Sequence, residues 1–387
     1  MKMKMIVLRE TKLPKKEFAL VSTKGDGGEA RSKLTISLEE TDEQQRRELR
    51  KEVGTIAAPP MPIMLIRSFR AGDDDAQPPQ ENWGLSAVKA TSSKFTGRGV
   101  TVAVLDTGID ATHPAFAGVT LKQENFTNEP PEDIDGHGTH CAGTIFGRDV
   151  DGLRIGVARG ISKALIGKVV GKNGASTAEV ARAISWAQLN GAQVISMSLG
   201  MDFIGYQRML QDEYKLPERQ ATSVALAGYR DNVRMFDKIS GATSSKLAIL
   251  NSAVVVAAAG NESERPNYSI TVAPPAAAEF FLSVAAVGPA KSGTPPLVLA
   301  PFSNDGAMFA APGVDVWSAR RGGGLVAMSG TSMATPHVAG VAALCAETLG
   351  EKNFTAARTI ELMSKNSLSL APGISEDDAR YGLVQAP

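Results

Sequence analysis

The chain is 387 residues long, 43% hydrophobic and 21% charged, enough for one large core plus a smaller appended unit. A formal net charge of zero gives no global field to recruit nucleic acid or an acidic membrane surface. Two cysteines, Cys141 and Cys345, are too few for a disulfide framework and predict reduced thiols.

Taken in order, residues 1–10 break off after a short apolar run, too short for a secretion signal. No apolar run approaches the roughly 20 residues of a membrane span. A cytoplasmic location without membrane partners is therefore expected. β-favouring runs at 5–8, 18–22 and 33–37 precede a charged helical stretch over 40–53 and an apolar run over 61–66, predicting a small α+β unit. Residues 71–79, Ala-Gly-Asp-Asp-Asp-Ala-Gln-Pro-Pro, form an acidic, proline-ended linker with nothing to bury, which divides the chain into units 1–79 and 80–387. Beyond Trp83, apolar and β-branched runs at 99–105, 164–170, 192–197, 253–258 and 281–287 alternate with helical patterns such as 177–190, closed by Gly191. Strands apolar on both faces and separated by helices predict an α/β fold with a parallel sheet covered on both sides. Functional residues of such sheets gather at the carboxyl ends of the strands.

The polar residues at those ends are the candidates. The first strand runs into Asp106-Thr107-Gly108; an aspartic-protease dyad needs a second copy of that motif to share its proton, and none exists. Asp135-Gly136-His137-Gly138-Thr139-His140-Cys141 opens an apolar helix. His137 and His140 have a spacing open to metal ligation, but no glutamate completes a zinc pattern. His140 reads as a hydrogen-bonded helix residue and Cys141 as a small buried neighbour of the imidazole. Ser196-Met197-Ser198-Leu199-Gly200 ends one strand, and Ala257-Ala258-Ala259-Gly260-Asn261 another. Asn261 is either a turn former or an amide aimed into a cleft. Finally, Gly330-Thr331-Ser332 leads into a helix expected over 333–349, which makes Ser332 either a plain N-cap or a nucleophile backed by the positive end of the helix dipole.

Asp106, His137, Asn261 and Ser332, in that order and each within its own motif, resemble the subtilisin-like serine proteases (subtilases, peptidase family S8). The resemblance runs from Trp83 to Val384 and includes Phe302-Ser303-Asn304 and Ala311-Pro312-Gly313-Val314. It implies a three-layer sandwich around a mostly parallel sheet of about seven strands. It further implies a catalytic triad of Asp106, His137 and Ser332, an oxyanion hole of Asn261 and the Ser332 N–H, and polypeptide substrate lying along Ser196, Ser198, Leu199 and Gly200. The pocket would be formed with Ala258, Ala259 and Gly260, giving broad specificity for large apolar side chains. Two alternatives on the same scaffold are a specialised cytoplasmic peptide-processing protease or macrocyclase and an inactive binding module.

Three departures from the family accompany the resemblance. The usual carboxylate ligand of its tight calcium site is Ala115 here, so that site is expected to be altered or absent, and no other metal is expected. The segment 201–251 is an enlarged helical insertion. Residues 1–79 loosely resemble the family's pro-region, which implies an inhibitory segment removed by self-cleavage in the linker 73–79.

Overall fold

The structure is a computed structural model and describes residues 2–12, 32–66, 68–70, 77–244, 253–290, 296–368 and 374–387. The run at 18–22 and the acidic part of the linker, 71–76, lie outside the described residues.

The N-terminal unit is a three-stranded antiparallel sheet in the order β2-β1-β3, built from β1 (Met3–Lys12), β2 (Ser32–Thr41) and β3 (Thr55–Ala58). A short helix, α1 (Glu43–Leu49), joins β2 to β3. It is shorter than the expected 40–53, because Asp42 caps it in a reciprocal capping box with Gln45 and strand pairing holds residues up to Thr41. The β1 side chains sort by parity: Ile6 and Leu8 join the core of the following unit, while Met5 and Val7 make a small cluster with Leu49 and Ala57.

Two short strands follow, β4 (Pro62–Leu65) and β5 (Phe69–Arg70). Both pair with later parts of the chain. After α2 (Trp83–Ala87) the larger unit begins with β6 (Thr101–Asp106), β7 (Thr120–Asn125), α3 (His137–Phe146) and β8 (Lys163–Lys168). It continues through β9 (Ala175–Ser176), α4 (Thr177–Leu189), β10 (Val194–Met197) and β11 (Leu199–Met201). The helical segment α5 (Phe203–Asp212) and α6 (Glu218–Ser244) comes next, then β12 (Val254–Ala258), β13 (Phe281–Pro289), β14 (Leu297–Leu299) and β15 (Phe309–Pro312). A hairpin, β16 (Val316–Ala319) and β17 (Leu325–Ser329), leads to α7 (Thr331–Leu349) and α8 (Ala356–Asn366).

The central sheet has eight strands, in the order β14-β13-β12-β10-β6-β8-β7 with β15 also on β13. Every pairing is parallel except that of β14. The strands β6, β10 and β12 are buried on both faces, as their unbroken apolar runs require. One face packs on α3 and α7, the other on α4 and α6. This is the expected three-layer sandwich with one strand more than expected. It brings the ends of β6, β10 and β12 and the first turns of α3 and α7 to one edge.

The described part of the insertion, 201–244, forms α5 and the continuous α6. Its buried Ala221, Ala225, Met235 and Phe236 share a core with Ile6, Leu8, Ala58 and Met61 of the N-terminal unit. Asn232, fully buried, donates from Nδ2 to the carbonyl of Pro59 at 2.8 Å, and Lys238 pairs with Glu10.

Candidate active site

Asp106 is the last residue of β6 and is 1% exposed. His137 opens α3, equally buried, and its Nδ1 lies 2.8 Å from Asp106 Oδ1. Two glycines permit this geometry. Gly136, at the N-cap of α3, has φ 98°, which only glycine adopts without strain. A Cβ on Gly138 would lie 2.2 Å from the Gly108 carbonyl oxygen, so the two loops meet backbone to backbone. Burial disfavours the imidazolium, but the Asp106 carboxylate outweighs it and holds the His137 pKa well above its ordinary 6.5. His140 behaves as the sequence suggests: Nε2 bonds the carbonyl of Val316 at 3.0 Å, and burial drives its pKa down to about 3.

Ser332 stands in the first turn of α7, not at its cap. The helix starts at Thr331, with Gly330 as N-cap. Pro336, four residues on, has no N–H, so the Ser332 carbonyl has no helical donor. Cys141 Sγ at 3.4 Å and Ser198 Oγ at 3.2 Å supply donors instead. Those contacts tie α3 and the segment before β11 to the Ser332 turn. Asn261 follows β12, and its Oδ1 accepts from both the N–H and the hydroxyl of Thr331, each at 2.8 Å. With the oxygen so committed, the amide NH₂ is the end left to face away from Thr331.

The chain's own residues 62–66 and 68–70 cross this constellation. β4 lies between β11 and β9, antiparallel to both, with Leu65 opposite Leu199 and Gly200 opposite Met64. The N–H of Ile66 donates to the Ser198 carbonyl at 3.3 Å. Ser332 Oγ donates to the Ile66 carbonyl at 2.9 Å, while His137 Nε2 has no hydrogen-bond partner among the described residues. Past Ser332, β5 pairs with β17, and the Phe69 ring lies 5.4 Å from that of Phe302. The segment thus runs along the edge in extended form on both sides of the Ser332 hydroxyl.

Of the predicted substrate-binding residues, Ser198, Leu199 and Gly200 border this strand. Ala258, Ala259 and Gly260 line a hollow of about 550 Å³ beside Ile66, together with Met201, Phe203 and Ile270. Ser196 does not belong with them. It sits within β10 between Val104 and Val256, 2% exposed, because the strand runs on through it to Met197.

Two metal questions can be answered from the donor atoms. Those of Asp106, His137 and Cys141 lie within 4.8 Å of one another, but Nδ1 is committed to Asp106 and burial raises the Cys141 pKa, keeping it a thiol. The calcium implied by the resemblance does not fit its loop either. Ala115 offers only a carbonyl, which accepts from the Arg148 N–H at 2.8 Å. Both Asp110 oxygens accept protein donors, Thr112 on one and Gly322 N–H on the other. Arg148 donates to the carbonyls of Phe146, Arg159 and Ile161, and Arg154 to those of Gly156 and Val157. Two guanidinium groups hold oxygens that a dication would need.

Sequence reasoning passed over Asp133, Thr107, Thr139 and Thr331.

Residues 97–383 match the subtilase family. A thermophilic serine proteinase of Bacillus sp. (strain AK1) is 34% identical over 268 residues, covering 68% of this chain and 56% of that protein. A subtilisin-like protease of Coccidioides posadasii (strain C735) is 33% identical over 296 residues, covering 72% and 62%. An intracellular serine protease of Paenibacillus polymyxa is 32% identical over 272 residues, covering 67% and 71%. The chain spans less than two thirds of the length of the first two. With fold, residue order and a match over most of its length in agreement, the chain belongs to the subtilase family of serine peptidases.

Proposed function

We propose that the chain is a serine endopeptidase in which Ser332 Oγ attacks a peptide carbonyl. His137 takes the hydroxyl proton and returns it to the leaving amine, while Asp106 fixes the imidazole tautomer and stabilises the imidazolium. A serine hydroxyl is too weak a nucleophile without such a base. The Asn261 NH₂ and the Ser332 N–H receive the oxyanion. The observation that carries this reading is the 2.9 Å approach of Ser332 Oγ to the Ile66 carbonyl, on a strand held by main-chain pairing to β11 and β9.

Main-chain pairing reads no side chains, and the hollow beside Ile66 is walled mostly by apolar and small residues, with Asp202, Asn261, Glu262 and Asn304 also in its lining. Broad specificity with a large apolar side chain before the scissile bond follows. The same register presents the peptide bond after Ile66 to Ser332, upstream of the linker expected from the sequence. We read residues up to Ile66 as inhibitor and first substrate of the enzyme. Among the described residues no helix is long and apolar enough to cross a membrane, and the likeness to a protein named intracellular serine protease favours action inside the cell. No calcium is assigned to the Ala115 loop.

Mass spectrometry of wild type beside Ser332→Ala, with and without a fluorophosphonate probe, tests the reading. Wild type should begin at Arg67 and carry the adduct on Ser332; the variant should stay full-length and unlabelled, having lost roughly 10⁶-fold in turnover. A wild-type start within 73–79 would overturn the register but keep the enzyme. A folded wild type freed of residues 1–66 that takes no adduct would overturn the enzyme.

A further inference from the structure

Asp133 lies on the loop between β7 and α3 and is 3% exposed. Its Oδ1 accepts from Thr107 Oγ1 at 2.9 Å, Gly136 N–H at 2.8 Å and Asp135 N–H at 3.2 Å. Its Oδ2 accepts from the Thr139 N–H at 2.9 Å and the Thr139 hydroxyl at 2.6 Å. All five donors are neutral, so no ion pair accounts for this buried carboxylate. Two of them are the backbone N–H groups of the α3 N-cap and its third residue, which Gly136 has no side chain to satisfy. The Thr107 hydroxyl also accepts the Gly138 N–H at 2.9 Å, and the Thr139 hydroxyl accepts the Asp110 N–H at 2.9 Å. One carboxylate therefore bridges the loop that follows Asp106 and the turn that carries His137.

The bridge reaches the reacting groups through a shared atom. The Thr107 N–H donates to Asp106 Oδ1 at 2.8 Å, and that oxygen is the one against His137 Nδ1. We propose that Asp133 is a positioning residue for the Asp106–His137 pair: by holding Thr107 on one side and Gly136 and Thr139 on the other, it sets the separation across which the two side chains meet. This rests on the protease reading above. A carboxylate is needed because it only accepts. An asparagine in either orientation would point an NH₂ at a committed donor, the Gly136 N–H on one side or the Thr139 N–H on the other.

The test is kcat and KM of the full chain after self-processing, with Asp133→Asn and Thr107→Val beside wild type, each normalised to fluorophosphonate-titrated sites. For Asp133→Asn, kcat should fall about 100-fold, the size of effect that misplacement on the order of 1 Å produces, with KM within about threefold. Thr107→Val leaves Asp133 on Gly136 and Thr139 and removes only the two bonds of the Thr107 hydroxyl, to Asp133 and from the Gly138 N–H; it should lower kcat about tenfold. Thr107→Val at wild-type kcat would reduce Asp133 to a helix cap and overturn the proposal, even where Asp133→Asn fails to fold. So would an Asp133→Asn enzyme whose titrated sites turn over at the wild-type rate. A wild type that neither labels nor turns over fails at the protease reading, and the positioning role falls with it.

Discussion

The central sheet and the N-terminal sheet are covered very differently. In the central sheet, β6, β10 and β12 have helices of their own unit on both faces. The β2-β1-β3 sheet has α4 and α6 of the larger unit on one face. On the other it has a cluster of only Met5, Val7, Leu49 and Ala57 among the described residues. Ile6 and Leu8 are buried because α6 is there. So small a core does not offset the entropy of ordering the segment. The N-terminal sheet is a guest on the larger unit, its host, and the strand that follows that sheet, β4, lies in the host's cleft.

A change in the host's chemistry should leave the guest seated. Asn261→Ala removes the side-chain donor proposed for the oxyanion and should lower kcat by roughly 10²–10³. Processing after Ile66 should slow in proportion, with the full-length chain accumulating on a gel. Processing at the wild-type rate would show that the amide takes no part. The reverse change loosens the guest and spares the chemistry. Asn232→Leu leaves the Pro59 carbonyl without its buried donor, a loss of about 1–3 kcal/mol, or roughly 10–100-fold in the hold of the N-terminal unit. Activity after cleavage should appear correspondingly earlier at equal final rate, and an unchanged lag would mean that α6 does not retain the segment.

Within the host, the buried histidines of α3 and α7 divide in their response to pH. His137 has a raised pKa, so its contribution to stability is fully present below about 6.5 and is lost as pH rises through the higher folded value. His140 and His337, buried with pKa values near 3 and 4, act in the opposite sense and destabilise the fold as pH falls below about 6.5. In full-length Ser332→Ala, NMR titration should show the His137 ring titrating above 6.5, and Asp106→Asn should bring it down. A His137 midpoint at or below that of an ordinary histidine would contradict the paired geometry.

Much of the host was legible in the sequence because its constraints are local. Unbroken apolar runs have no solution but a doubly covered strand, and the glycines beside His137 mark a backbone that must close on another. Register was harder to read. The residues 61–66 showed as an apolar run, but what makes Ile66 special is the Ser198 carbonyl and the Ser332 hydroxyl, each more than a hundred positions away. Ser196 and Ser198 look alike in sequence, yet one is inside β10 and the other on the cleft edge, since β10 stops between them. Asp133 escaped notice because its role lies in joining two loops that the sequence keeps well apart. Pro336 was visible, but that it frees a carbonyl for Cys141 and Ser198 depends on helices meeting in space.

The smallest effect expected is none at all, and it sharpens the contrast between this host and the calcium-bound fold that its family resemblance implies. Arg148 holds three segments together: its N–H binds the Ala115 carbonyl, and its guanidinium binds the end of α3 at Phe146 and the turn before β8 at Arg159 and Ile161. A cation at the carboxyl end of α3 also meets the negative end of the helix dipole. Burial lowers the Arg148 pKa, but an arginine starts so high that it stays charged. The cation closing this loop is thus part of the chain. The thermal midpoint of full-length Ser332→Ala should be the same in calcium and in chelator, because a ligand stabilises only what it binds. Arg148→Met keeps the aliphatic stem and loses the donors; it should lower the midpoint by several degrees in either buffer, as a loss of about 1–3 kcal/mol does in a chain of this size. If calcium raised the parent midpoint as far as Arg148→Met lowers it, a metal would be doing the work assigned to the guanidinium.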